Sequence, residues 1–429
     1  MGFYHGLSGL NAASKSLDVI GHNIANSNTT GFKSSRAEFN EMIASAMGSS
    51  SSSNTGIGVS VSAVSQQFTQ GVVNPTNNGL DMAINGDGFF IVETPSGTAY
   101  TRNGAFQLNK AGDLVTVNGD KVQGYTVDPN TGTRSSVTLT NLAFPAGTPI
   151  PAKATTEVKT TLNLDARAQT ATASTSRALY GTSLEVFDSQ GMATPLSLYF
   201  TKADGNTWNV YTSMDPTAQP DPVARIEFDA TGKLSRVTEG VATGAPVPPS
   251  TTPTYQTLSN NILPVTVAST NPNSTPGVNP VQPIALNVDL SGVSQLGSAF
   301  SVARLTQDGY ASGELTGVNV SADGMLMATY SNGITRAEAQ IALARFTNTQ
   351  GLQSNGNNNW VASNDSGPAM LGSAGSGSFG TIQGSALEES NVDLTAQLVN
   401  MMTAQRAYQA NAQTIKTQDQ VYSNLVNLR

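Results

Sequence analysis

The two ends of this chain carry heptad-spaced amphipathic sequences, and what lies between them reads as β-strands and turns. At the C-terminus, Leu394, Leu398, Met401, Gln405, Tyr408, Ala412, Ile415, Asp419, Tyr422 and Val426 recur at alternating steps of four and three, the seam spacing of a coiled coil. Leu10, Ala13, Leu17, Ile20, Ile24 and Ser27 follow the same alternation in the opposite phase near the N-terminus. A lone seam needs a partner, and the nearest one is the other end of the same chain. The spacing therefore predicts a nested, mainly β chain. Its terminal helices pair as a coiled coil, and every other domain is inserted between them.

Composition narrows the function. With 429 residues the chain can form two or three cores, since single cores rarely grow past roughly 250 residues. Only 12% of residues are charged, against 38% hydrophobic, so the surface is polar but nearly neutral and suited to contact with copies of itself. The net charge of -8, with thinly scattered Lys and Arg, disfavours nucleic acid and anionic membranes as partners. Without cysteine there is no disulfide framework, thiolate zinc site or thiol nucleophile. No stretch approaches the roughly 18 apolar residues of a membrane span, and the first 30 residues lack a basic leader with an apolar run. A cleaved Sec signal is not expected, so export would need another route.

Local signals divide the chain further. A first helix is expected over 4–26, closed at Gly31, which can take the left-handed conformation. Residues 32–70, with serines over 49–53, read as a mobile connector holding short β pieces and too polar to form a core. Residues 71–145 and 284–360 are assigned to a first β-domain, 146–283 to an outer β-domain with a loose tail over 240–283, and 361–385 to a Gly/Ser-rich connector. Asn109, Asp188 and Asp229 each stand three residues before a glycine, the pattern of a hairpin turn opened by an Asx side chain. Residues 390–393 read as a capping box for a last helix over 394–428, and 1–31 with 386–429 forms the inner helical coiled-coil domain.

Catalytic chemistry is hard to find. His5 and His22 both lie in the first helix, outside any metal-ligand spacing, and read as solvated. Residues 375–380 (GSGSFG) fit a phosphate-loop pattern literally, but no apolar strand precedes them and no helix starts on them. Glu388 and Glu389 are explained by the favourable field at a helix N-terminus, without a general acid. The sequence therefore predicts neither an enzyme nor any cofactor or metal site.

Several motifs carry a resemblance to a known family. GLSGLNAAS over 6–14 and LDVIGHNIANSNTTGFK over 17–33, including Asn26, Gly31, Phe32 and Lys33, resemble the N-terminal signature of the bacterial flagellar axial proteins, the family of rod and hook subunits. SNVDL over 390–394, with Asn391 and Asp393, and QRAYQAN over 405–411, with Gln405, Arg406 and Tyr408, are similar to its C-terminal signature. GDGFFIV over 86–92 and YTRNGAF over 100–106 resemble the common β-domain. The long insert, with DGYASGEL over 308–315 and YSNG over 330–333, looks hook-like, whereas rod-type members are shorter.

The resemblance implies a subunit that self-assembles into a curved, flexible tube carrying motor torque to the filament. It also implies export through the flagellar type III apparatus to the cell exterior. The expected partners are further copies of the chain, a distal rod protein, a hook cap and a hook–filament junction protein. Its seam residues Leu10, Ala13, Leu17, Ile20, Ile24, Leu394, Leu398, Met401, Tyr408, Ala412, Ile415, Tyr422 and Val426 are expected to hold the inner helices in the assembly. The ends are expected to be disordered in the monomer, 32–70 to act as a joint and the outer domain to set curvature. A rod-type subunit is one alternative. From another class, a secreted adhesin would need a concave aromatic cluster, for which only Trp208 and Trp360 are available.

Overall fold

The computed structural model describes all residues except 1, 44–55, 130, 145–146, 173–174, 216–220, 242–253, 269–282 and 428–429. The serine run over 49–53 and most of the loose tail over 240–283 lie outside the described residues. The chain is mainly β, with 47% of residues in strands, and its terminal helices α1 (Gly2–Ala25) and α2 (Leu394–Asn427) pack together. It divides into two compact units. The first comprises Met1–Gly147, Leu315–Thr329 and Thr335–Arg429, and the second Thr148–Glu314 and Tyr330–Ile334.

The first unit is organised by the strand Thr335–Arg345, which pairs antiparallel with Met325–Tyr330, Lys121–Thr126, Phe89–Thr94 and Met370–Ser373. Its alternating and then continuous apolar sequence suits a strand buried on both faces, and Ile341, Ala342, Leu343 and Ala344 have no exposed surface. Phe89 meets Phe346 and Trp360 edge to face with ring centroids 6.0 and 5.7 Å apart, and Tyr100 meets Phe346 at 4.7 Å. Trp360 donates from Nε1 to Gln66 Oε1 at 2.5 Å and is 2% exposed, so it presents no aromatic platform.

Three expected boundaries shift. Residues 32–70 contain a long antiparallel hairpin, β1 (Ser35–Ile43) with β2 (Gly56–Gln66), rather than short β pieces. An isolated two-stranded hairpin is marginal in water. This one leans on α1, where Val59 N donates to Ser8 Oγ and His5 Nε2 to the Gly56 carbonyl at 2.8 Å, so His5 is not simply solvated. The segment 361–385, expected as a connector, holds Met370–Ser373 and Thr381–Gly384, which join Thr335–Arg345 and Met82–Asn85 by backbone pairing that composition does not reveal. GSGSFG is the turn between these two strands.

The third shift concerns 284–307, which belongs to the second unit. Ile284–Leu296 lies beside Glu157–Asp165 in parallel, with Ile262–Val267 and Ser301–Gln307 on either side. A parallel partner is remote in sequence, so no hairpin signal marks it. Ile284, Leu286, Val288 and Leu290 point into one core with Phe200, Val210 and Ile226 of a six-stranded antiparallel sheet. Trp208, fully buried there, donates to Gln295 Oε1 at 2.8 Å. The turns at Asp188 and Asp229 form as the spacing indicates: Asp188 Oδ1 accepts from Gln190 N and Met192 N, Asp229 Oδ1 from Thr231 N and Lys233 N, and the glycines have φ of +82° and +81°.

Asp308 closes one edge of this unit, accepting from Thr156 N at 2.8 Å, Glu157 N at 2.9 Å and Thr156 Oγ1 at 2.7 Å, with Lys153 Nζ at 3.0 Å. Partial burial works to raise its carboxyl pKa, but these donors together outweigh it and hold the value at about 2. The unfolded value is roughly 3.9. The stabilisation is therefore complete above roughly pH 4 and is lost as pH falls toward about 2. Asp308→Asn should destabilise this unit at neutral pH, and its gap to wild type should close over that acid window. Denaturation followed by Trp208 fluorescence in a Trp360→Phe background measures it. A gap independent of pH would refute the assignment.

Candidate assembly interface

The helices meet through small residues. A Cβ on Gly6 would lie 3.0 Å from Ile415 Cγ1, and one on Gly9 2.8 Å from the Asn411 side chain, so the backbones approach closely. Asn23, 1% exposed, donates to Gln397 Oε1 at 3.5 Å and exchanges hydrogen bonds of 2.7 and 2.9 Å with the backbone of Ser35. Helix, hairpin and helix are thereby tied at one point.

On α1, Ala13 and Ile20 are buried and Leu10, Leu17 and Ile24 half-buried. On α2 the seam differs from the heptad reading. Ala404 is its one buried side chain among the described residues, and Gln397, Met401, Asn411, Ala412 and Ile415 are half-buried. Leu394, Leu398 and Tyr408 are 43%, 51% and 38% exposed, and Gln405 and Asp419 are also exposed. The side chains of Tyr422 and Val426 lie outside the described residues. The contact face is thus rotated by about one position toward Gln397, Ala404 and Asn411. The cause is steric: the Gly6–Gly9 face of α1 has room for small and polar groups at close approach, and the larger leucines stay outside.

Below the helices the two chain ends enter the first β unit together. Asn26 caps the end of α1, with Nδ2 donating to the His22 carbonyl at 2.9 Å. Gly31 has φ +69° and donates from N to the Glu388 carbonyl at 2.8 Å, and a Cβ there would stand 2.6 Å from Asn103 N. Only glycine fits. Phe32 is buried against His22, with ring centroids 5.5 Å apart. Asn391 accepts from Ser34 N at 2.8 Å and donates to Gln67 and Thr69. The cap of α2 is Asp393, whose Oδ1 accepts from Ala396 N at 3.1 Å, rather than Ser390 as the capping-box reading had it.

Lys33 and Glu388 have fully buried side chains, joined at 2.5 Å from Nζ to Oε1. Arg102 Nη1 meets Glu388 Oε2 at 3.2 Å, and Gly71 N donates to Oε1 at 2.9 Å. Lys33 also donates to the Thr69 carbonyl at 2.8 Å, and Arg102 Nη2 to that of Gly86 at 2.7 Å. Burial, more than Glu388 can offset, pulls the Lys33 and Arg102 pKa values down. Glu388 is therefore a structural counter-ion inside the β unit and not a charge placed for the field of α2. Arg102 and Glu388 were missed as site residues, because a charged residue in a β-rich sequence gives no sign of its partner.

Of the motif residues, Asn26, Gly31, Phe32, Lys33, Asn391 and Asp393 converge here, whereas Gln405, Arg406 and Tyr408 lie on exposed faces of α2. Among the described residues no group of three His, Cys, Asp or Glu could hold a metal ion, and no helix is long and apolar enough to cross a membrane.

A nested chain, closed by its own ends and carrying exposed apolar helix faces, defines the class of axial structural subunits. Family profiles agree: Flagella basal body rod protein over 3–33, Flagellar hook protein FlgE/F/G D1 domain over 83–161, Flagellar basal body protein FlaE D2 domain over 163–310 and Flagellar basal body rod FlgEFG protein C-terminal over 383–428. The chain is 40% identical to the flagellar hook protein FlgE of Escherichia coli and 39% to that of Salmonella typhimurium, over 100% of each chain. It is 32% identical to the one from Treponema pallidum over 99% of both. The chain belongs to the flagellar hook protein FlgE family.

Two cations share one carboxylate in the buried cluster, so its members are unequal. Glu388→Gln should cost about 3–5 kcal/mol by stranding both cations, whereas Lys33→Met leaves a balanced pair and should cost about 1–3 kcal/mol. Denaturant unfolding of the first unit measures both. Equal losses would show that the charges do not act as a unit.

Proposed function

We propose that this chain is the structural subunit of the flagellar hook, self-assembling into a curved tube that passes motor torque to the filament. The observation that carries this is the full-length match to hook proteins, joined to a helix pair with large apolar side chains left uncovered. Leu394, Leu398, Val399, Met402 and Val421 of α2 and Phe3, Tyr4 and Leu7 of α1 are 39–70% exposed. Apolar area on this scale marks an interaction site. A second copy supplies a match without new chemistry.

The seam residues act in this reading through contacts between subunits as well as within one. The helices α1 and α2 form the inner part of the tube, 32–70 the joint, and the second unit, 148–314 with 330–334, the outer part that sets curvature. Neutral Ser-, Thr- and Asn-rich surfaces suit sliding interfaces, because weak polar contacts exchange at little cost. The distal rod protein, hook cap and junction protein are its partners at the tube ends. The flagellar export apparatus carries the chain out of the cell.

The monomer buries little of α2, so its ordering entropy is met chiefly on assembly. Hydrogen exchange should find α2 amides unprotected in the monomer and protected in the polymer. Leu398→Glu should abolish tubes under salting-out conditions, seen by negative-stain electron microscopy, while thermal unfolding of the β units stays within about 0.5 kcal/mol. Protection of α2 in the monomer equal to that in the polymer would overturn folding on assembly.

A further inference from the structure

An open groove of about 650 Å³ lies between α1, the base of the β1–β2 hairpin and one flank of α2. Ala13 and Ile20 of α1, Phe39 and Val59 of the hairpin, and Ala404 and Ala407 of α2 contribute its apolar lining. The remaining lining is small or uncharged and polar, with Arg36 the one charged residue. A small-molecule site of this size ordinarily adds a charged or convergent polar anchor. The groove is instead shaped for apolar side chains.

The occupant is suggested by the other flank of the same helix. At roughly 100° per residue, Leu394, Leu398 and Met402 fall in one narrow stripe, roughly opposite Asn400, Thr403 and Ala407, which line the groove. Leu398 and Met402 are 51% and 52% exposed. From Leu394 to Gln405 the helix carries no charged residue, although the chain as a whole has a net charge of -8. Stripe and groove thus match in apolar character, Arg36 at the groove being the one charge on either face, which a highly charged foreign partner would not.

We propose that the Leu394, Leu398 and Met402 stripe of one copy seats in the α1–hairpin–α2 groove of the next. The inference rests on the self-assembly reading and gives that interface its two faces. Because the two faces lie on opposite flanks of one helix, the contact is heterologous and each bound copy presents a fresh stripe or groove to another. The row propagates without any second type of contact.

The absence of cysteine makes the test clean. The full-length chain carrying Leu398→Cys and Val59→Cys is assembled under reducing conditions, then oxidised and run on a non-reducing gel. A ladder extending well beyond dimer is expected, with each single variant monomeric and a mixture of the two singles stopping at dimer. Should that chain fail to form tubes, Met402→Cys with Ala37→Cys reads the same contact. Tubes without a ladder, or a disulfide confined within single chains, overturn the groove assignment and leave self-assembly standing. Failure of the unmodified chain to form tubes under the same conditions would overturn the reading beneath it.

Discussion

The carboxylate of Glu388 holds the nested chain closed. It reaches Lys33 from the strand of chain leaving α1, Arg102 from the first β-sheet and the backbone of Gly71, while Glu388 itself stands just ahead of α2. Four remote parts of the sequence therefore meet on two oxygens. Such a cluster is a poor source of net stability, because desolvating three charges consumes most of the attraction between them. What it contributes is register: an alternative pairing of the chain ends would leave a buried charge without a partner. Gly31 and Asn391 add the same kind of constraint, one by its positive φ beside Asn103 and the other by reading the backbone of Ser34, Gln67 and Thr69.

Above that anchor the packing changes character. The β units are closed, with aromatic edges and fully buried aliphatic side chains, whereas α2 has a single buried side chain, Ala404, among its described residues. Gly6 and Gly9 draw the helices together but offer little apolar area, so the pair cannot satisfy the leucines of α2. A chain selected only for monomer stability would be expected to turn those leucines inward. Their outward placement makes sense where the missing contacts come from other copies, as in a family of polymeric hook proteins.

The heptad spacing made the existence and pairing of α1 and α2 legible, since periodicity survives without knowledge of the partner. It did not reveal the rotation of the α2 seam, because large apolar side chains dominate a periodicity reading while close approach is decided by glycines on the other helix. The Asx–Gly turns at Asp188 and Asp229 were readable for a local reason: the side chain bonds backbone two and four residues on. The parallel pairing of Glu157–Asp165 with Ile284–Leu296 was not, being non-local and unsigned by any turn. Lys33 was visible as a motif residue, yet its role depends on Arg102 and Glu388, whose approach is a product of the whole fold.

These differences amount to a division between what one chain completes and what it leaves open. Both β units place their cores and turns within a single copy, and a buried ionic cluster keeps the ends of the first unit in register. The helices have a register but an unfinished surface, with an apolar stripe on one flank of α2 and an apolar groove on the other. The first β unit fixes where the helices stand, because Asn23, Asp393 and Asn391 set where each helix begins or leaves the sheet. The two helices pack on each other in the single copy, yet the leucines along the outer flank of α2 stay uncovered there, and that open surface is what a family of hook proteins brings to its neighbours.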